Sequence, residues 1–475
     1  MLFNSFQFAI FFIIVYGLYI SFNHKWQNRM LLLASYVFYG AWDWRFLSLI
    51  VISTVLDYYC GIFIHESGSE KRRKYFLTLS IVGNLFILGF FKYYDFFAVS
   101  LKDLFLVFGV PIDPRLLNIV LPVGISFYTF QTMSYTMDIY RNEMEPTKKF
   151  LDFALFVSFF PQLVAGPIER AKHLLPQVLN DRKLSLEKFY EGCYLISWGL
   201  FQKVFVADNL SRIVDPVFAS GPPYNGAKVL LALYAFAFQI FCDFAGYSNI
   251  ARGLGKCMGF DIMINFNLPY FSTNPKEFWR RWHISLSSWL RDYLYIPLGG
   301  NKRGTVIMYR NLAITMLLGG LWHGAAWTFV LWGAYQGFLL ILHRLSKPFL
   351  SRIVVKGRIA GRIWFFIRVF MFFHLVCLGW LFFRAQSMLQ IADMIKAVIF
   401  NFDLHNWQNL TLILINLILC IWFLLLMQLF QFIKNDLFYC FKLHWAVQGM
   451  IYFLIFYITL TYGVNNANEF IYFQF

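Results

Sequence analysis

The sequence predicts an all-helical, polytopic membrane protein of about ten transmembrane helices, with re-entrant or interfacial helices beside them. Three observations carry that prediction. Hydrophobic residues make up 59% of the 475 and charged residues only 14%, against about 45–50% and about 25% in soluble domains. The apolar residues are gathered into long runs. The basic excess, 41 Lys and Arg against 25 Asp and Glu for a net charge of +16, sits between those runs, where the positive-inside rule puts it. Disorder, a coiled coil, a secreted disulfide scaffold and an ordinary cytosolic enzyme are excluded by this composition, and nucleic acid is a poor partner for charge so placed.

Along the chain, residues 1–24 hold no Lys, Arg, Asp or Glu. No basic residue precedes the run from Phe8 to Ile20 and no small-residue cleavage site follows it, so a first transmembrane helix is expected there and not a signal peptide. Lys25 and Arg29 follow at once, which puts the N-terminus outside. Further apolar segments lie at 30–41, 44–64, 75–97, 116–140, 151–166, 190–206, 228–250, 308–342, 363–383, 410–433 and 445–463. The stretch 308–342 is long enough for two passes. Several others fall short of the roughly 20 residues needed to cross the hydrocarbon core and are read as re-entrant or interfacial. Basic clusters at 71–74 and 344–368 mark cytoplasmic loops. No Lys or Arg follows Lys442, so the tail is also expected outside, and the number of spans even. No internal repeat and no Ser- or Pro-rich linker divides the chain, which reads as one domain over 1–475.

The seven cysteines form no C-x-x-C pair and read as small core residues, with no metal site implied. Gly253-Leu-Gly-Lys-Cys-Met-Gly259 misses the dinucleotide fingerprint by one residue. Walker A, G-x-S-x-G and H-E-x-x-H sequences are absent.

The most informative single residue is His323, in Leu317-Leu-Gly-Gly-Leu-Trp-His-Gly-Ala-Ala-Trp327. The 31 residues Asn311–Ile341 around it carry no charge. An imidazole in such a stretch is costly unless it is hydrogen-bonded or faces water, so it marks either a structural bond between helices or a functional site. Small residues around it permit close helix packing, and Trp322 and Trp327 supply rigid walls. A neutral imidazole can take a proton from a hydroxyl, which suits acyl transfer from a thioester to an alcohol. His374 lies in another apolar span without the glycine surround and reads as structural.

A second signature runs from Asn274 to Pro297. Helical spacing predicts Arg280, His283, Ser287 and Arg291 on one face and Phe278, Trp282, Leu286 and Trp289 on the other. Such a helix lies in the membrane interface, or its basic face lines a polar passage where arginine forks suit the phosphates of a nucleotide-like donor. Asp243, in Phe241-Cys-Asp-Phe-Ala-Gly-Tyr247, is expected to pair with a base inside the bundle.

These segments resemble the membrane-bound O-acyltransferase family, in particular its bacterial branch of alginate and peptidoglycan O-acetylation membrane subunits. The resemblance rests on Phe278-Trp-Arg-Arg-Trp-His-Ile-Ser-Leu-Ser-Ser-Trp-Leu-Arg-Asp-Tyr-Leu-Tyr-Ile-Pro297 and on the His323 segment. It is joined by Leu121–Gln131, Phe159–Ile168 and Phe238–Ser248. It covers essentially the whole chain. It implies a helical fold pierced by a central tunnel in a bacterial inner membrane, with His323 as the catalytic histidine and His283 as the second signature histidine. Trp322, Arg280, Arg291, Ser287 and Asp243 would line the tunnel or hold the donor. Acetyl-CoA would be the cytoplasmic donor, with no bound cofactor. An extracytoplasmic esterase-like partner would pass the acetyl group to a cell-envelope polysaccharide. Phe470-Ile-Tyr-Phe473 is similar to a C-terminal motif of related systems in which a tyrosine carries the acyl group, which would be Tyr472 here; interfacial anchoring explains a terminal tyrosine equally well. A D-alanyl or lipid acyltransferase of the same family, and a transporter or flippase for a polysaccharide intermediate, are the competing readings.

Overall fold

The computed structural model describes residues 1–464, 470 and 471, apart from 165, 351, 353, 354, 356 and 406. Its residues divide into two compact units, Met1–Tyr194 with Ala251–Met263, and Leu195–Ile250 with Ile264–Phe475. In chain order the helices are α1 (Phe6–Ser21), α2 (His24–Asp43), α3 (Leu47–Glu66), α4 (Glu70–Val107), α5 (Ile125–Tyr140), α6 (Phe150–Ser158), α7 (Phe160–Leu163), α8 (Ala171–Leu179), α9 (Leu186–Leu200), α10 (Asp208–Ala219), α11 (Gly226–Cys257), α12 (Pro275–Arg281), α13 (Ile284–Leu290), α14 (Thr305–His323), α15 (Trp327–Leu350), α16 (Arg358–Arg384), α17 (Met388–Phe400), α18 (Trp407–Lys434) and α19 (Trp445–Tyr462). No strand occurs among the described residues.

Among the described residues, seven helical stretches are long and apolar enough to cross a membrane: 24–66, which holds α2 and α3, then α4, α11, α14, α16, α18 and α19. The protein is therefore a multi-pass helical membrane protein. Capping and breaks shorten several of the other apolar runs. Ser5 accepts from the Phe8 N–H and Asn23 from the Trp26 N–H. The first helix is thereby held to 16 residues, short of the roughly 20 that span hydrocarbon. The run 151–166 is split between α6 and α7 at Phe159. The run 116–140 becomes helical only from Ile125. There α5 buries Thr129, Gln131, Thr132, Ser134, Thr136 and Asp138, so it is sheathed in protein and presents no lipid-facing side.

In the first unit, α3, α4 and α5 pack closely: a Cβ at Gly61 would lie 2.6 Å from the Tyr135 ring. Their shared interior holds Asp57, fully buried, whose carboxylate accepts from Ser80 and, at 2.8 Å, from Asn84 Nδ2. Ser80 also meets the Thr136 hydroxyl at 2.8 Å, and Ser53 donates to Asn84.

In the second unit, α14 and α15 form a hairpin. A Cβ at Gly320 would come within 2.3 Å of the Phe329 carbonyl oxygen, and one at Gly333 within 2.4 Å of the Met316 carbonyl oxygen. Only glycine lets these backbones approach so closely. His374 behaves as a structural residue: its Nδ1 meets the Phe370 carbonyl at 2.8 Å and its Nε2 the Tyr234 hydroxyl at 2.7 Å.

Candidate active site

The segment expected as one amphipathic helix is broken in the middle. Asn274 caps α12 by accepting from the Glu277 N–H at 2.9 Å, and Pro275 supplies its first turn. The helix stops at Arg281, and His283 adopts a left-handed backbone with φ 42° before α13 begins. A non-glycine residue there costs about 1–2 kcal/mol, so the surroundings must hold it. Asn265 does so: its carbonyl accepts from the Ile284 N–H at 2.9 Å, and its side-chain oxygen meets His283 Nδ1 at 3.1 Å and Ser285 Oγ at 2.9 Å. Ser287 N donates to the His283 carbonyl at 2.9 Å, and its hydroxyl donates to the Trp279 carbonyl at 2.8 Å.

This break overturns the expected polar face. His283 turns fully inward, whereas Arg280 and Arg291 are exposed. Arg291 is taken up by Asp292, 2.7 Å away, and Ser287 by the Trp279 carbonyl. The interfacial reading fails as well, since Phe278, Trp282, Leu286 and Trp289 are all buried.

His283 now faces the end of α14. The ring centroids of His283 and His323 lie 6.2 Å apart, with Trp322 5.8 Å from His283 and 5.1 Å from His323. Trp332 at 5.0 Å and Phe383 at 5.4 Å complete the wall around His323, and Phe244 stands edge-on to His283 at 4.7 Å. Trp380 stacks beyond Trp332 at 6.2 Å. The indole N–H groups of Trp332 and Trp380 are buried with no hydrogen-bond partner among the described residues. Burial holds the His283 pKa down to about 3, so its imidazole is neutral. Because Nδ1–H donates to the Asn265 oxygen, the lone pair is on Nε2.

Asp243 is paired as expected, and its base is Lys203, 2.6 Å away, which also reaches Asp208 at 2.9 Å. Lys203 sits in the π-helical turn Phe201–Ala207. The other Asp243 oxygen accepts the Ile471 N–H at 2.8 Å. Phe470 is fully buried, 5.4 Å from Phe244 and 4.8 Å from Tyr247. Tyr472 lies outside the described residues.

A cavity of about 930 Å³ opens beside α12, lined by Lys276, Arg280, Arg281, His343, Arg344 and Lys347 with the single carboxylate Glu277. Glu277 is taken by Arg281 at 3.1 Å, so the other cations of this lining have no carboxylate among the described lining residues. Burial first, and then Arg368, Lys347 and Lys276, lower the His343 pKa. Among the described residues no three of His, Cys, Asp and Glu gather as a metal-holding group.

A pair of buried histidines from two separate sequence signatures, walled by tryptophans, is the arrangement to set against known proteins. The model of the membrane-bound O-acyltransferase family matches residues 42–383, which include both. The chain belongs to the membrane-bound O-acyltransferase family. It is an O-acyltransferase. It is 43% identical over 428 residues to the probable alginate O-acetylase AlgI of Azotobacter vinelandii, covering 88% of this chain and 83% of that one. It is 44% identical to the protein of that name from Pseudomonas aeruginosa, over 86% of this chain and 76% of that one. It is also 35% identical to the peptidoglycan O-acetyltransferase of Helicobacter pylori, over 79% and 74%.

Within this acyltransferase, the structure brings together three of the residues singled out in the sequence: His283, His323 and Trp322. Arg280 belongs instead to the basic cavity, Asp243 to the Lys203 cluster, and Arg291 and Ser287 to local pairs. Sequence reasoning missed Asn265, Trp332, Trp380 and Phe383 at the histidines, and Lys276, Arg281, His343, Arg344 and Lys347 at the cavity. For the cavity a signal existed: Arg344 and Lys347 belong to the acid-free cluster 344–368. Asn265 carried none, being a lone amide 18 residues before the histidine it holds.

Proposed function

We propose that this protein is a membrane O-acetyltransferase that carries acetyl groups from cytoplasmic acetyl-CoA through a tunnel to an extracytoplasmic acceptor. It would act with an esterase-like partner in O-acetylation of a cell-envelope polysaccharide, of alginate or peptidoglycan type, from a bacterial inner membrane with both termini outside. The whole chain, 1–475, would form one acyltransferase domain. The observation that supports the chemistry most is the 6.2 Å pairing of His323 with His283 inside aromatic walls. Relatives named for acetylation of alginate and peptidoglycan support the cargo and the polymer class.

In this reading His323 takes the acceptor hydroxyl's proton while that oxygen attacks the thioester carbonyl. The new C–O bond forms, the C–S bond breaks, and the departing thiolate receives the proton. Neutral His283, fixed by Asn265, keeps the pocket polar at one point without placing a charge there. The cations of the basic cavity suit the donor's phosphates. Because only the acetyl group need travel, the charged donor stays on its own side of a barrier roughly 30 Å thick. Tyr472 is the proposed acyl carrier at the outer end.

The test is to incubate purified protein and candidate partner with labelled acetyl-CoA and either alginate or peptidoglycan fragments. Label should reach polymer with the wild type and not with His323→Ala. Transfer that persists in a well-folded His323→Ala would remove the catalytic assignment, and polymer movement without any need for acetyl-CoA would favour a transporter. Acetyl-tyrosine at position 472 during turnover is expected by mass spectrometry, and full activity in Tyr472→Phe would refute the carrier role.

A further inference from the structure

A second cavity, of about 570 Å³, runs as a mostly apolar groove along α15 and α16. Leu342, Met371 and Leu375 line its apolar length, and Arg368 and Lys347 its basic end. Arg368 stands where the basic segment 344–368 meets the apolar run 363–383. It lies ten residues into α16, about 15 Å from the start of an apolar 27-residue helix. No carboxylate lies within ion-pairing distance of it among the described residues, and its bond is to the Thr273 hydroxyl at 2.9 Å. Lys347 likewise has no carboxylate partner among the described residues. Cations at the end of a membrane span stand at the level of the lipid headgroups. Here two stand at one end of an apolar groove on a membrane-crossing helix, at the edge of a segment, 344–368, that carries seven basic residues and no acid.

We propose that this groove binds an anionic glycerophospholipid, with its phosphodiester on Arg368 and Lys347 and an acyl chain along Leu342, Met371 and Leu375. The charge supplies the headgroup chemistry and the groove supplies the chain: a free phosphate satisfies the first and leaves the second bare, and a neutral lipid does the reverse. Basic pockets between transmembrane helices on the cytoplasmic side are a recurrent setting for anionic headgroups. Lys347 and His343 also line the basic cavity, so the inference is separated from the acetyl-donor reading at Arg368 and Met371, which line this groove and not that cavity.

The full-length protein, purified from mixed phosphatidylglycerol and phosphatidylcholine, would be examined by native mass spectrometry. Phosphatidylglycerol should be retained preferentially. Arg368→Gln should weaken that retention about fivefold, the effect of one basic residue at an anionic headgroup, and Arg368→Lys should largely restore it. Met371→Trp keeps both cations but fills the chain's path, and should also lose the lipid; it carries the test if Arg368→Gln does not fold. Excess inorganic phosphate should leave the lipid in place. Equal retention of the two lipids by wild type, unchanged retention in a folded variant, or displacement by inorganic phosphate would each overturn the proposal.

Discussion

Two buried centres, one in each unit, hold their polar groups in different ways. In the first, Asp57 is surrounded by short polar side chains: Ser80 and Asn84 bond it, and Ser53 and Thr136 bond those in turn. In the second, His323 is surrounded by rings, from Trp322, Trp332, Phe383 and His283, and the indoles of Trp332 and Trp380 bury donors with no partner among the described residues. A satisfied network holds helices together and asks nothing of a ligand. Buried donors without partners are a standing cost unless a guest meets them. The difference fits the Asp57 centre as architecture and agrees with the proposal that chemistry is done at the His323 centre.

The largest expected effect tests the second half of that contrast. His323→Ala should lower acyl transfer by about 10²–10⁴-fold with membrane level and melting temperature nearly unchanged. Next comes the first half. Asp57→Ala strands Ser80 and Asn84 and should cost about 2–3 kcal/mol of stability, while the folded fraction keeps its turnover per molecule. If the two variants exchanged phenotypes, the contrast would be wrong. A smaller effect should follow Asn265→Ala, which frees the left-handed turn and lets His283 shift. Since misplacement of about 1 Å can cost up to about 10²-fold, a roughly tenfold loss of transfer is expected. Unaltered transfer would make Asn265 a bystander.

The pH response of stability sharpens the role of His283. Unfolded, it titrates near its ordinary value of about 6.5; folded, burial keeps it neutral down to about 3. Between those values the unfolded chain binds the extra proton, so His283's contribution is complete above about pH 6.5 and declines as pH falls. Melting curves of wild type should therefore drop more steeply on acidification than those of His283→Asn. The smallest effect is Trp380→Phe. Removing a donor that bonds nothing among the described residues should leave stability within about 0.5 kcal/mol, while a change in donor affinity would show that the indole meets the donor.

Much of this was legible in the residues. His323 stood out because no charge occurs for 31 residues around it, and Asp243 was expected to find a base. The polar face through Arg280, His283, Ser287 and Arg291 was not there, because helical spacing assumes an unbroken helix and His283 breaks it with a positive φ. Nothing in the local pattern announces that break: its cause is Asn265, whose amide and carbonyl reach across from another segment. The first helix differs: its hydropathy suggests a span, but local caps at Ser5 and Asn23 bound it at 16 residues.

By itself the sequence determined that this is a helical membrane protein, which stretches carry its charge, and which histidine lies isolated in an apolar run. Those properties are sums over neighbouring residues, and hydrophobic transfer adds along the chain whatever the fold does. Only the tertiary structure decided that His283 meets His323, that Lys203 is the base for Asp243, and that cations far apart in sequence gather at two adjoining cavities that share Lys347. Such contacts depend on how helices far apart in sequence cross, and that is set by glycine approaches and side-chain packing that no local pattern encodes.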